Sequence, residues 1–113
     1  MAGPACRSSG VLTASAVVSS EKTKLISVHL SLIVNHGDNI VVVQIYDAGT
    51  ATTSGKTELV RFNLANEDRT IKDTYVFEAD MHGVIASEGL YCVITSASAS
   101  GGPAVAAVSI EFA

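Results

Sequence analysis

Apolar and polar residues alternate along most of this chain with the two-residue period that is typical of β-strands. From Ile26 to Val34, Ile, Val and Leu occupy every second position, and Ser and His fill most positions between them. Because successive side chains of a strand point to opposite faces, we predict a strand here with one buried face and one wetter face. Similar alternation, or a dense run of β-branched residues, recurs at 40–46, 58–64, 74–79, 90–95 and 105–112.

Residues that favour turns separate these segments. Asn35-His-Gly-Asp-Asn39 places a Gly between Asn and Asp, which predicts a hairpin that joins the preceding strand to the strand at 40–46. The segment 40–46 is almost wholly apolar and is predicted to be a central strand covered on both faces. About seven or eight short strands, with turn signals roughly every ten residues, predict one all-β domain, an antiparallel β-sandwich or a jelly-roll-like fold.

The N-terminal part of the chain leaves two alternatives open. The segment from Val11 to Val18 fits a further strand, or an extended arm that lacks fixed structure in isolation. We predict a flexible leader at residues 1–10 and a β-sandwich domain at 11–113. An arm formed by residues 1–20 would contain one charged side chain, Arg7, and its β character suggests that it adds a strand to the sheet edge of a neighbouring subunit.

Composition narrows the classes of function. The 113 residues suffice for one domain, and 16% of them are charged, against about 25% in an average soluble protein. Either part of the surface packs against another subunit, or the surface is an ordinary β-surface rich in Ser and Thr. The net charge of −4 and the absence of a Lys/Arg run argue against direct binding to nucleic acid.

The sequence also predicts no membrane association. No apolar run reaches the roughly 20 residues that span a bilayer. The segment from Met1 to Arg7 lacks the basic and apolar regions of a signal peptide. We therefore expect a protein that stays in the cytosol or is assembled there into something larger.

One segment superficially resembles a phosphate-binding loop. Gly49 precedes Gly55-Lys56-Thr57, but five residues separate the two glycines, whereas the motif requires four. The motif must also lead into a helix, and the alternating segment from Glu58 to Leu64 predicts a strand instead. We predict a hairpin loop and no phosphate site.

Five side chains form the conceivable metal set: His29, His36, Asp38, Asp80 and His82. They lack the close ligand pairs of zinc sites and the regularly spaced carboxylates of calcium loops. Two turns that met at one end of a sandwich would bring four of them together. Asp and His in turns more often serve local backbone hydrogen bonds, which is the interpretation we prefer. We therefore predict no metal or other cofactor.

Catalytic and sugar-binding motifs give no positive indication either. No Ser lies in a Gly-x-Ser-x-Gly elbow, and the scattered Asp and Glu favour no particular pair, so we predict a protein that is not an enzyme. The chain has no Trp, and Tyr46, Tyr75 and Tyr91 lie within predicted strands, where we expect them in the core. Cys92 is predicted to be a buried free thiol, with a disulfide to Cys6 as the alternative.

The segment from about Leu25 to Ala113 has a recognisable order of features. A strand ends in the turn Ile45-Tyr46-Asp47-Ala48-Gly49, and a hairpin rich in Ser, Gly and Thr and a Gly-containing bend near Gly83 follow. The segment from Glu88 to Thr95 and a terminal strand from Ala107 to Ala113 complete the outline. This order resembles that of a group of small virion proteins of tailed bacteriophages.

The resemblance implies a structural function and a partner. Such proteins include capsid decoration (cement) proteins and small head or tail components, which have β-sandwich or β-tulip folds and are often trimeric. It implies that this chain is part of a virion, assembled in the host cytoplasm, where it would bind the major capsid protein or another virion subunit. The alternative is a tail- or fibre-associated module that recognises a host surface glycan through its loops.

Overall fold

A computed structural model describes residues 6–33, 39–65, 74–98 and 105–113. These residues form two four-stranded sheets that contain eight strands. In chain order the strands are β1 (Arg7–Leu12), β2 (Ala16–Ser19), β3 (Thr23–Ile33), β4 (Asn39–Asp47), β5 (Thr57–Ala65), β6 (Thr74–Ala86), β7 (Leu90–Ser98) and β8 (Val105–Phe112). The part of the chain that the structure describes holds no helix with the length and apolar character needed to cross a bilayer.

The strand order is that of a jelly roll. Sheet A has the order β1-β8-β3-β6, and sheet B has the order β2-β7-β4-β5. The first strand pairs with the last, the second with the seventh, the third with the sixth and the fourth with the fifth, all antiparallel. A chain doubled into one long ribbon and rolled over on itself gives this pairing. The predicted all-β sandwich or jelly-roll-like fold is therefore confirmed.

The core lies between the two sheets and comes mainly from their central strands. The most buried large side chains are Leu25, Val28 and Leu30 of β3, Val41, Val43 and Ile45 of β4, Leu90 of β7, and Val108 and Ile110 of β8. Each such side chain contributes about 1.5–3 kcal/mol by leaving water. The edge strands pack partly buried side chains such as Leu12, Val18 and Phe62 against this layer.

A β-bulge shifts the phase of β3. Leu25 is fully buried, and after the register shift between Leu25 and Ser27 the buried positions are Val28 and Leu30. The alternation that starts at Ile26 in the sequence is therefore interrupted, and Ile26 is only half-buried. An extra residue in one strand reverses the face of every side chain beyond it, and the apolar pattern alone does not reveal the position of this reversal.

Two of the predicted strand relationships are corrected. β3 pairs with β6 and β8, whereas β4 pairs with β5 and β7, so the predicted hairpin between β3 and β4 is wrong. The chain crosses from one sheet to the other there, and residues 34–38 lie outside the described part. β4 is a central strand, as predicted, but its outward side chains, such as Val42 and Tyr46, are half-exposed and not covered.

In the described residues, which begin at Cys6, the predicted extended N-terminal arm is not observed. β1 pairs with β8 and β2 pairs with β7 of the same chain, while Leu12 and Val18 pack against the core. Of the two alternatives for the segment from Val11 to Val18, strand structure is observed, in two pieces that belong to different sheets. β1 begins at Arg7, inside the segment predicted as a flexible leader, and residues 1–5 lie outside the described part.

Each of the four edge strands carries a register shift. On β1 it falls between Ser8 and Val11, and on β2 between Val17 and Ser19; β5 and β6 are interrupted in the same way, and the extra residues lie on the edge strand each time. Bulges twist and interrupt the row of N–H and C=O groups that a foreign strand needs for pairing. Strand addition from another chain is therefore disfavoured along these edges.

Candidate functional site

The structure separates the five residues of the predicted metal set. His29 lies on the central strand β3, while Asp80 and His82 lie on the edge strand β6; His36 and Asp38 lie outside the described residues. Asp80 Oδ1 accepts the backbone N–H of His82 at 2.8 Å, the local role that we preferred for turn residues. Within the described ranges, no group of three or more His, Cys, Asp or Glu side chains is arranged to hold a metal ion.

His29 occupies the middle of the outer face of sheet A, between two glutamates. Its Nδ1 lies 3.4 Å from Glu78 Oε1 on β6, and its Nε2 lies 3.3 Å from Glu111 Oε1 on β8. Ser27 Oγ also lies 3.3 Å from Nε2. One imidazole thus contacts side chains from both neighbouring strands, which makes it a cross-strand link on an exposed surface.

His29, Glu78 and Glu111 line a shallow surface depression of about 320 Å³. Ile26, Ser27, Ala79 and Asp80 also line it. Apart from Ile26 and the His29 imidazole, the side chains that line it are short or acidic. We interpret this His–Glu cluster as a set of polar contacts that hold the neighbouring strands β6, β3 and β8 side by side.

The segment with the spacing closest to a phosphate loop is a hairpin loop, as predicted. Residues 48–56 connect β4 to β5, which pair with each other in sheet B, and the strand β5 begins at Thr57. Lys56 Nζ lies 2.8 Å from Glu88 Oε1, so the residue that would hold a phosphate is paired with a carboxylate instead. A phosphate site would need a helix N-terminus at this point, and a strand takes its place.

Asp47, the last residue of β4, clasps the turn between β6 and β7. Its Oδ1 accepts the backbone N–H of Glu88 at 2.7 Å and that of Gly89 at 3.3 Å, and its Oδ2 accepts that of Ser87 at 2.9 Å. Desolvation by burial acts to raise the pKa of Asp47, but these three donors, aided by the Lys56 ammonium, hold that pKa below its ordinary value. β6 belongs to sheet A and β7 to sheet B, so this carboxylate fixes a junction between the sheets.

Two glycines permit the close packing at this clasp. A Cβ on Gly89 would lie 2.3 Å from Ser19 O and 2.8 Å from Gly49 Cα, and the residue has a φ of 151°. A Cβ on Gly49 would lie 2.7 Å from Glu88 O. The loop after β4 and the turn after β6 therefore touch through their backbones, which is only possible without side chains at both positions.

The two cysteines are not joined. Cys92 is fully buried in the core and Cys6 is exposed, both as free thiols. Burial raises the pKa of Cys92 to about 11, so it stays protonated and unreactive at neutral pH. The predicted buried thiol is confirmed, and the alternative of a disulfide is not.

Tyr46 and Tyr91 lie on the outer face of sheet B, and the prediction that places them in the core is wrong. They are paired neighbours on β4 and β7, and the adjacent inward residues Ile45 and Cys92 are fully buried. Because side chains alternate, both tyrosines must point outward, where each is half-exposed. The side chain of Tyr75 lies outside the described part.

A polar network flanks the tyrosine pair. Gln44 Nε2 donates to Tyr46 Oη at 2.8 Å and to Glu58 Oε2 at 3.0 Å. Arg61 Nε and Nη2 donate to the two carboxylate oxygens of Glu58 at 2.8 Å and 2.9 Å. The hydrogen bond from Arg61, followed by that from Gln44, lowers the pKa of Glu58 to about 2. Glu58 therefore remains a fixed, ionised acceptor at neutral pH.

The chain matches no family model, and no curated protein and no solved structure is significantly similar to it.

Proposed function

We propose that this chain is a non-enzymatic structural protein of a virion, a capsid decoration subunit that binds and stabilises a shell of major capsid protein. The jelly-roll order supports this proposal, because such sandwiches serve in viral capsids as well as in lectins and other binding proteins. The resemblance of the segment 25–113 to small virion proteins supplies the kind of partner.

The observation that best supports a role in subunit packing is the difference between the edges and the outer faces of the two sheets. All four edge strands are interrupted by register shifts, whereas the outer faces carry many short or uncharged side chains around a few charged ones, such as Glu78 and Glu58. On sheet A, for example, Ser109 lies between Val11 and His29 in one row. We therefore infer that other subunits, including other copies in a trimer, contact the faces. β1 and β2 pair with strands of their own chain, which argues against strand addition by residues 1–20.

The test locates the protein on particles of the virus that encodes it. Purified protein is added to particles that lack it, the particles are sedimented, and the bound copies are counted and imaged by electron microscopy. We expect saturable binding with a copy number set by the capsid lattice, and greater resistance of the shell to heat. A few copies confined to the tail would contradict decoration, and an absence of binding would contradict the virion function.

The oligomeric state is measured separately by size-exclusion chromatography with light scattering. We expect a trimer at micromolar concentration or above. A monomer at every concentration would contradict the homotrimer but would leave the fold and the particle-binding test unaffected.

A further inference from the structure

We propose that the outer face of sheet B, around Tyr46 and Tyr91, is a binding site for a neutral oligosaccharide. The inference does not depend on the proposed structural function, because it concerns a small ligand and one face of the isolated protein. It also differs from glycan recognition through the loops, since the residues concerned lie on strands.

The aromatic part of this face is contiguous and rigidly placed. Tyr91 pairs with Tyr46 on one side and with Val17 on the other, and 39% of Val17 is exposed. The hydroxyl of Tyr46 contacts Gln44, two residues back on the same strand, a distance of about 6.7 Å along the chain. This hydrogen bond fixes the position of the Tyr46 hydroxyl beside Gln44.

The polar part of the face is fixed before any ligand arrives. Glu58 holds Arg61 through two hydrogen bonds, and Gln44 connects Glu58 to Tyr46. A guanidinium has five N–H donors, and the contacts with Glu58 use two of them. Groups that are already ordered by one another lose little conformational entropy when they bind a ligand.

Charge complementarity selects an uncharged ligand. Glu58 and Arg61 neutralise each other as a bidentate pair. The other outward side chains of these rows are uncharged; they are Val17, Val42, Asn63, Val93 and Thr95. The face therefore has no net charge that would attract a phosphorylated, acidic or basic ligand, and it favours neutral molecules.

A neutral sugar has the two chemical features that this face complements. Its C–H face packs on aromatic rings, and its hydroxyls both donate and accept hydrogen bonds, as Gln44, Glu58 and Arg61 require. An apolar surface with a few fixed polar groups is the usual composition of small-molecule sites. The three neighbouring rows of this open sheet face offer room for several sugar units in an extended chain.

The test titrates the full chain with cellohexaose, maltohexaose, xylohexaose and mannohexaose, with hexagalacturonate as a charged comparison. Binding is followed by calorimetry and by backbone amide NMR shifts. We expect saturable binding of at least one neutral hexasaccharide, at least about tenfold tighter than hexagalacturonate, with shifts confined to β2, β4, β5 and β7. The absence of binding to all four neutral sugars would overturn the proposal.

Single substitutions distinguish the contribution of the tyrosine rings to binding from an effect on folding. Tyr91→Ala and Tyr46→Ala should each weaken binding at least about tenfold, which corresponds to about 1.4 kcal/mol, whereas Tyr91→Phe should retain it. His29→Ala, on the outer face of the other sheet, is the matched control and should bind as the unchanged protein does. Tyr variants that melt normally and bind sugar with undiminished affinity would contradict the site.

A protein partner at this face would give a different pattern. In that case, no hexasaccharide binds, and Tyr91→Ala loses its binding to particles. That result would overturn the sugar site while supporting the proposed structural function. Loss of sugar binding with unchanged binding to particles would support the sugar site and separate it from the capsid contact.

Discussion

The two outer faces of this sandwich are built by the same alternation and carry different chemistry. On sheet A, the central row contains Val11, Ser109, His29 and Glu78, with Glu111 close to the imidazole. On sheet B, the corresponding row contains Val17, Tyr91, Tyr46 and Glu58. The first row places a histidine between acids, whereas the second places two aromatic rings side by side.

This difference shows that strand order determines the chemistry of a face. Each row draws on strands from both halves of the chain, so no single segment contains the pattern. Tyr46 and Tyr91 are 45 positions apart in the sequence and become neighbours because β4 pairs with β7. The same holds for His29 and Glu111, which β3 and β8 bring together.

The largest expected effect on the free energy of unfolding comes from the turn between β6 and β7, which joins the two sheets. Gly89→Ala would place a Cβ against Ser19 and Gly49, at a turn that connects sheet A to sheet B. We expect a loss of about 3–5 kcal/mol in the free energy of unfolding, measured by urea denaturation, because backbone atoms there cannot move apart cheaply. Because this turn joins the two sheets, we expect both sheets to unfold in a single transition.

Gly55→Ala is the matched control for this substitution. Gly55 also has a positive φ, 73°, but nothing lies within 4 Å of the added Cβ. Its cost should be about 1–2 kcal/mol, from backbone strain alone. Equal effects at Gly55 and Gly89 would mean that the close approach at the clasp contributes nothing.

The second effect concerns the Asp47 clasp. Asp47→Asn should lower the free energy of unfolding by about 2 kcal/mol, since an amide cannot accept all three N–H groups at both of its ends. The lowered pKa of Asp47 means that its contribution is complete above the ordinary carboxyl pKa of 3.8 and is lost as the pH falls through the folded value. Denaturation of both proteins between pH 7 and pH 2 checks this, with the difference between them shrinking in acid.

Asp80→Asn is the control for the clasp. Asp80 accepts a single backbone N–H, on an exposed edge strand. Its replacement should change the free energy of unfolding by less than about 1 kcal/mol. A larger effect than that of Asp47→Asn would contradict the role we assign to the clasp.

The third expected effect is the response of the Glu58 network on sheet B to acid. The pKa of Glu58 is lowered to about 2, so the contribution of its network on sheet B is present above the ordinary value of 4.5 and is lost as the pH falls from about 4.5 towards 2. NMR titration of the Glu58 carboxyl should give a midpoint of about 2. Arg61→Ala should move the midpoint up towards 4.5, and an unchanged midpoint would show that Arg61 is not its main cause.

The smallest effect is expected on sheet A. Glu78→Gln and Glu111→Gln should each change the free energy of unfolding by no more than about 0.5 kcal/mol, because both carboxylates are exposed to solvent. Thermal melts at pH 7 measure it. A loss above about 2 kcal/mol would mean that the histidine link supports the sheet far more strongly than an exposed contact does.

Much of the fold was predictable from local patterns. The segments around Ile26–Ile33, Glu58–Leu64 and Val105–Phe112 alternate clearly, and each is a strand. The Gly-containing bend expected near Gly83 is a bulge within β6, which continues to Ala86. His82 and Gly83 adopt positive φ values of 54° and 71° there, so the pattern was interrupted while the strand was not.

The candidate sites were much less predictable. A tyrosine in a strand is compatible with either face, and no motif in the sequence places Tyr46 and Tyr91 outside the core. One local signal was available: Ile45 and Leu90, the residues just before the two tyrosines, are apolar and buried, which assigns the tyrosines to the opposite face. The clasp at Asp47 had no comparable signal, because its three partners are 40 or more residues away.

The sequence by itself determined that this chain forms short strands around an apolar layer, because alternation and turn residues act over only a few positions. The tertiary structure decided which strands became neighbours, where bulges reversed the faces, and which side chains met on the two surfaces. These depend on contacts between residues far apart in the chain, and local preferences do not specify such contacts.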